Sequence, residues 1–300
     1  MIQATNITKR FGKKKAVDSI TLRVEKGQIF GLLGPNASGK TTTIRLLCGI
    51  IRCDAGEIAI NGMPIREAKT DFGYVAQYFG QYEELTVWEN LTFYARMYDV
   101  TDTGHLVALL DRYHLTPYRD QFAGALSGGY QRRLAMACAL AHDPLVLFLD
   151  EPTAGIDPVT RKILWDDFYR LATEGKTLLV TTHYMEEAQR CHELAFLSAG
   201  RMVARGTPET IKEALGAASV YAAEIRYFPA LHKALQKLDG VILLNQFGSE
   251  LRIVVRPEIN QATLQTLIDS TTGRTGPLKR DEPNLEDVFI ALTQEQQERP

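Results

Sequence analysis

Nowhere in the 300 residues does an apolar run approach the ~20 residues needed to span a bilayer. Any work at a membrane has to pass through a partner. The amino-terminal stretch MIQATNITKR has no apolar core and no small-residue cleavage site, so no secretory leader is expected. Cysteine is scarce: Cys48, Cys53, Cys138 and Cys191 are the four, and no pair has metal or redox spacing. Cys48 and Cys138 fall on apolar faces of predicted helices, where buried, inert thiols are expected, and the set fits a reducing compartment. An excess of positive charge is missing too. Net charge is −2 and pI about 6.3, so no global field favours a nucleic-acid partner. The cluster Lys9, Arg10, Lys13, Lys14 and Lys15 reads as a solvated hairpin turn. Repeats and low-complexity segments are absent, and the tail QEQQERP is polar. What is present in quantity is apolar residue, 45%, normal for a chain with a real core.

Length allows one large domain and a smaller one. Up to about residue 216, short apolar strands alternate with amphipathic helices, an α/β pattern. QIFGLLG (28–34) is a buried strand entering a glycine turn, and SGKTTTIRLLCGI is the helix after it. LVLFLD (145–150) and TLLVTTH (177–183) read as central parallel strands covered on both faces. Between Gln77 and Leu126 the pattern becomes helical, an inserted subdomain at about 78–143. Thr86 and Glu89 form a capping box, with Val87, Leu91, Tyr94 and Tyr98 on one helix face. A second helix carries Leu106, Leu109, Leu110 and Tyr113, and Pro144 marks the end of the helix begun at LSGG. The expected division is 1–216 and 217–300. Beyond Gly216, strand, helix, two strands and helix, then a last helix over EPNLEDVFIALT, predict a small α+β domain.

GPNASGKT (34–41) has the spacing of a phosphate-binding loop, placed after a strand and before a helix. Backbone N–H groups of Gly34, Pro35, Asn36, Ala37, Ser38 and Gly39, proline excepted, would wrap phosphates. Lys40 supplies positive charge, and Thr41, assisted by Thr42, offers a hydroxyl to Mg²⁺. Asp150 ends an apolar strand and can hold Mg²⁺ through water. Glu151 follows it and can polarise an attacking water. Gln77 and His183 each end a strand, where an ordinary polar residue is the plain alternative to a ligand. Phe11 either stacks on a base or fills core. LSGGYQRRL (126–134) opens a second helix with serine and two glycines, a second place where free backbone N–H groups can meet phosphate.

The order of GPNASGKT, Gln77, LSGGYQRRL, LVLFLDEP, AGID (154–157) and His183 resembles the ATP-binding cassette (ABC) ATPases over about 216 residues. That resemblance implies a P-loop NTPase cassette and a Walker A, Q-loop, signature, Walker B, D-loop and H-loop in turn. It implies catalytic roles for Glu151, His183 and Gln77, the last also near Mg²⁺, and adenine stacking on Phe11. In the family two cassettes dimerise head to tail, so Ser127, Gly128 and Gly129 would serve the ATP held by a partner cassette, with Asp157 at the same interface. The tail EPNLEDVFIALT resembles ATPases of ABC-2-type exporters, although Leu285, Val288, Phe289 and Leu292 would form the face of any amphipathic helix. The implied function is the MgATP-hydrolysing subunit of an exporter, cytoplasmic and peripheral on the inner face of the membrane, driving a separate permease. An importer ATPase and a soluble non-transport ABC ATPase are the alternatives. Two positions depart from the family pattern. Ala37 stands where glycine is usual, and an unstrained backbone is expected there. Tyr130 replaces a common glutamine.

Overall fold

The computed structural model describes residues 1–273 and 276–297. The chain divides into two compact units, Met1–Arg205 and Gly206–Pro300.

In the first unit, β1 (Ile2–Phe11) and β2 (Lys14–Val24) form a hairpin whose turn carries the basic cluster. β3 (Ile29–Leu33) then runs into α1 (Lys40–Leu47). β4 (Ala55–Ile60), β5 (Met63–Pro64) and β6 (Phe72–Val75) follow. Next come α2 (Val87–Arg96), α3 (Thr103–Arg112) and α4 (Gly128–Leu140), which make up the helical insertion. β7 (Val146–Asp150), α5 (Pro158–Thr173), β8 (Thr177–Thr182), α6 (Met185–Ala188), β9 (Glu193–Ser198) and β10 (Arg201–Gly206) complete it. Six strands form one sheet in the order β10-β9-β3-β8-β7-β6, with β9, β3, β8, β7 and β6 parallel. Every residue of β3, β7 and β8 is buried, as the unbroken apolar runs require. A second, antiparallel sheet β2-β1-β4-β5 was not legible as a separate layer in the sequence pattern. Its inward Ile2, Ile7, Ile20 and Leu22 share one core with Ile44 and Leu47 of α1 and with Phe30, Phe148 and Leu179 of the parallel sheet.

The capping box forms as expected: Thr86 accepts from the Glu89 N–H and Glu89 accepts from the Thr86 N–H. Cys48 and Cys138 are buried, and burial pushes both thiols up, away from the reactive thiolate.

The second unit opens with α7 (Pro208–Lys212). Its division falls upstream of the composition change near residue 216, because α10 (Leu285–Gln297) packs against α7 and the 3₁₀ turn Glu213–Leu215. Strands β11 (Ser219–Glu224), β12 (Val241–Phe247), β13 (Glu250–Val255) and β14 (Lys279–Asp281) make one antiparallel sheet, in the order β12-β13-β11-β14. Helices α8 (Pro229–Gln236) and α9 (Gln261–Thr272) connect them in the β-α-β-β-α-β order of ferredoxin-like folds. Their Leu231, Leu235, Leu264 and Ile268 bury one face of the sheet. The strand β14 has three exposed residues, KRD, and no apolar pattern, which is why it escapes a reading by periodicity. Asp287, fully buried on α10, is held by Arg252 of β13, with Nη2 at 2.7 Å.

One buried polar cluster ties the helical insertion to the core of the first unit. Asp167 of α5 accepts from Arg112 Nε at 2.9 Å and from the Tyr113 hydroxyl, which ends α3. Burial raises the Tyr113 hydroxyl well above the phenol range, so it stays a donor. Tyr113→Phe keeps the ring but leaves the buried carboxylate short of one donor. It is expected to lower stability by about 1–3 kcal/mol in urea unfolding. An unchanged midpoint would show the bond to be dispensable.

Candidate active site

The parallel strands all end on one edge, and most of the residues picked out from the sequence gather there, those of the signature helix excepted. β3 ends at Leu33, and residues 34–39 loop back before α1 starts at Lys40. Two glycines are demanded by contact. A Cβ on Gly34 would meet the Leu197 carbonyl and Ser38 Oγ at 2.4 Å each, and one on Gly39 would meet the Ala16 carbonyl at 2.5 Å. Gly39 also has φ +107, a conformation that suits glycine. At Ala37 the expectation of an unstrained backbone fails: φ is +63, in the left-handed region. The turn of the loop between β3 and α1 prevails here over the local preference of alanine.

Behind the loop, Lys40 is buried and points back, donating to the carbonyls of Gly34 at 2.7 Å and Pro35 at 3.2 Å. Its Nζ lies 3.6 Å from Glu151 Oε1. Burial lowers the proton affinity of Lys40, and the neighbouring Glu151 opposes that shift. Glu151 is also reached by Gln77 Nε2, 3.2 Å from Oε2, and by His183 Nδ1, 3.3 Å from the same oxygen. Gln77, Lys40 and His183 come from three different parts of the chain, and Glu151 is where they meet.

Asp150 is fully buried one residue earlier. Its Oδ1 accepts from Thr41 Oγ1 at 3.2 Å and from Thr181 Oγ1 at 2.7 Å. Its Oδ2 is buried with no hydrogen-bond partner among the described residues. Burial raises its pKa above the usual carboxylate range. A hydroxyl that gives its proton to a carboxylate turns its lone pairs elsewhere. Thr41 and the free Asp150 oxygen therefore fit a hard cation such as Mg²⁺. Among the described residues no cluster of three or more His, Cys, Asp or Glu forms a protein-only metal site. A cation here would take its remaining ligands from phosphate and water.

Phe11, about half exposed, lines the same cleft with Asn36, Ala37, Thr42, Tyr78 and Glu151, around a volume of about 490 Å³. Ser127, Gly128 and Gly129 do not line it. They open α4, where Ser127 is the N-cap with no side-chain cap bond, and Ser127 and Gly128 are exposed. Gly128 has no positive φ, and a Cβ there would meet nothing within 4 Å. The fold of this chain does not require glycine at that position. Asp157 caps α5, accepting from the N–H groups of Val159 and Thr160 at 3.0 Å.

Comparison with known proteins shows the family. The family described as ABC transporter matches residues 17–154. The chain is 39% identical over 308 residues to the Nod factor export ATP-binding protein I of Burkholderia pseudomallei (strain K96243), covering 97% of this chain and 96% of that one. It is 37% identical over 219 residues to the probable multidrug ABC transporter ATP-binding protein YbhF of Escherichia coli (strain K12), covering 71% of this chain and 38% of that one. Among solved structures, an ATP-binding subunit of an ABC transporter aligns with TM-score 0.67 at 27% identity, covering 72% of this chain and 93% of that chain. The dimeric bacterial ABC transporter cassette MJ0796 aligns with TM-score 0.65 at 25% identity, covering 69% of this chain and 98% of that chain.

The chain belongs to the ABC transporter ATP-binding subunits. It is an ATPase cassette, and among its described residues no helix is long and apolar enough to cross a membrane.

The cassette also contains positions that the motif reading passed over. Thr181 donates to Asp150 and accepts from the Glu151 N–H at 2.8 Å, holding both acidic residues from the next strand. Two hydroxyl residues closing the apolar run TLLVTT were the available signal. Arg132, within the signature stretch, donates to the carbonyls of Ala76 and Gln77 at 2.8 Å each, tying α4 to the Q-loop. Its neighbour Arg133 offers the same chemistry, so only packing separates the two.

Because Ala37 is held at φ +63, Ala37→Gly relieves the Cβ strain and is expected to stabilise the cassette by up to about 1 kcal/mol. Thermal melting with and without ATP checks this; a lower melting temperature in both would contradict it.

Proposed function

We propose that this ATPase works as a head-to-tail dimer that binds and hydrolyses MgATP to drive a separate ABC-2-type export permease. The observation that carries the reading is the split of its phosphate-binding features. Lys40, Gln77 and His183 converge on Glu151, while Ser127 and Gly128 stand exposed outside that cleft, with a glycine the fold does not need. A second copy would supply its own exposed helix start to that cleft.

In this reading Phe11 stacks on the adenine and residues 34–39 wrap the phosphates. The Lys40 ammonium, released from the Gly34 carbonyl, lies against the β- and γ-phosphates. Thr41 and Asp150, with Gln77 nearby, hold Mg²⁺, which neutralises phosphate charge when bound. Glu151 accepts a hydrogen bond from the attacking water and orients it toward the γ-phosphorus. Gln77 and His183 hold that carboxylate and the terminal phosphate in line. ATP closes the dimer, and hydrolysis lets it open.

The relatives named for export support the direction of transport, and the one that spans both units supports a role for the whole chain in it. A cytoplasmic place on the inner face of the membrane follows from this role.

Complementation tests the shared site. A Ser127→Arg chain and a Lys40→Ala chain are each expected to be inactive. Mixed, they form a dimer with one intact composite site and one site carrying both lesions, so activity should return in part. Confirmed heterodimers with no recovery would refute the head-to-tail arrangement.

Docking of the permease is assigned to the groove beside the Q-loop, about 330 Å³, lined by Tyr74, Tyr78, Tyr94, Tyr98 and His142. Of the three aromatic residues in AQYFGQYEELTV, Tyr78 is 79% exposed and Tyr82 49%, as an anchor requires, while Phe79 is half-buried. Tyr78 also lines the nucleotide cleft, so Tyr82, next to the groove-lining Gln81 though outside the lining itself, and edge-on to Phe93 at 5.1 Å, is the cleaner probe. Tyr82→Ala is expected to keep basal ATPase and to weaken permease association by about 1–3 kcal/mol. A pull-down at wild-type strength would remove Tyr82 from the interface.

A further inference from the structure

Glu187 lies outside every motif of the site, yet it is the hub of a buried polar network behind it. Its side chain is 1% exposed on the short helix α6. Oε1 accepts from Thr153 Oγ1 at 2.6 Å, and Oε2 accepts from Thr182 Oγ1 at 2.7 Å. Thr153 and Thr182 are themselves 1% exposed, so neither bond competes with water. Thr153 follows Glu151 by two residues, and Thr182 directly precedes His183. One carboxylate therefore grips the two loops that carry the proposed base and its histidine.

The grip answers a specific need. Glu151 has φ +47, a left-handed backbone that a glutamate adopts only when its surroundings impose it. Thr181 fixes the N–H side of that residue. Glu187 fixes the chain on its far side through Thr153. The carboxylate is also neutralised in place: Arg161 Nε of α5 lies 3.5 Å from Oε1. The same guanidinium sits 4.7 Å over the Tyr184 ring, and Tyr184 packs at 4.1 Å against the His183 ring, which faces Glu151. Thr182 Oγ1 accepts in turn from the Tyr184 N–H at 3.0 Å, closing the turn beside His183.

We propose that Glu187 is a positioning residue for hydrolysis. It clamps the Glu151 loop to the His183 loop through Thr153 and Thr182, so that the strained carboxylate and the imidazole keep one geometry. Glu187 touches neither nucleotide nor water itself. This inference rests on the assignment of Glu151 and His183 made above.

The test uses the full chain and three variants. Glu187→Ala removes the hub, while Thr153→Val and Thr182→Val each remove one donor with little change of shape. Glu187→Ala is expected to lower kcat about 10- to 100-fold, the scale of a misplaced catalytic group. KM for ATP and the Kd of a fluorescent ATP analogue should stay within about twofold of wild type, because no phosphate contact is lost. Each Thr→Val change should lower kcat less, and adding either to Glu187→Ala should lower it no further, since all three act through one carboxylate. Should Glu187→Ala not fold, the two valine variants and their double carry the same test, with the double clearly less impaired than the product of its parts and full multiplication counting against the clamp. Undiminished kcat in both valine variants would overturn the proposal, as would losses that track a fall in ATP affinity. Glu151→Gln separates this from the underlying assignment. Wild-type turnover in Glu151→Gln would sink the assignment. A dead Glu151→Gln beside fully active Thr153→Val and Thr182→Val would sink only the clamp.

Discussion

Two opposite charges, Lys40 and Glu151, lie buried 3.6 Å apart at the end of the parallel sheet, and the rest of the site is arranged around that contact. Removing both from water costs more than their attraction returns unless other polar groups complete their shells. The chain completes them with the Gly34 and Pro35 carbonyls on one side and with Gln77 and His183 on the other. These groups come from four separate segments, so the pair can form only once β3, β6, β7 and β8 are in register. The dependence also runs in reverse. A phosphate entering the loop offers Lys40 a stronger partner than a carbonyl, and a change at one group reaches all the others through Glu151.

Backbone strain sits on both sides of this pair. Ala37 and Glu151 both have positive φ, in the loop before α1 and in the turn after β7. Neither residue type favours that conformation, and at Glu151 the backbone N–H is held by the Thr181 hydroxyl. Backbone held in sparsely populated regions by its surroundings is a mark of pre-organised sites, and both residues line the one cleft. The same logic explains the buried hydroxyl residues that close β8, which would otherwise be a poor choice for a strand covered on both faces.

The second unit obeys different rules. Its sheet is antiparallel, its helices α8 and α9 cover one face, and its buried charges are Arg252 and Asp287, with the exposed Asp281 and Glu250 beside them. Burial pulls the Arg252 pKa down, but the hydrogen bonds and charges of Asp287 and Asp281 outweigh it and raise it beyond its usual range, and the Arg252–Asp287 pair holds α10 to the sheet.

Much of this was legible in the residues alone, wherever the physics is local. Unbroken apolar runs declared the parallel strands, the Thr86–Glu89 pair declared a helix start, and the loop GPNASGKT declared a phosphate cradle, because strand, cap and turn chemistry act over a few neighbours. The order of the motifs declared the family. What the sequence left open depends on distant partners. The antiparallel sheet, the three-residue strand β14 and the boundary before α7 follow from which faces find each other. The left-handed backbone at Ala37 follows from a loop that must close. Glu187 is one acid among many in YMEEAQ, and only the packing of α6 turns it into the acceptor for the buried hydroxyls of Thr153 and Thr182 on two separate loops. Sequence determines which chemical groups are available and what each prefers locally; tertiary structure decides which of them share a buried, water-poor volume, and there an unpaired polar group is too costly to tolerate.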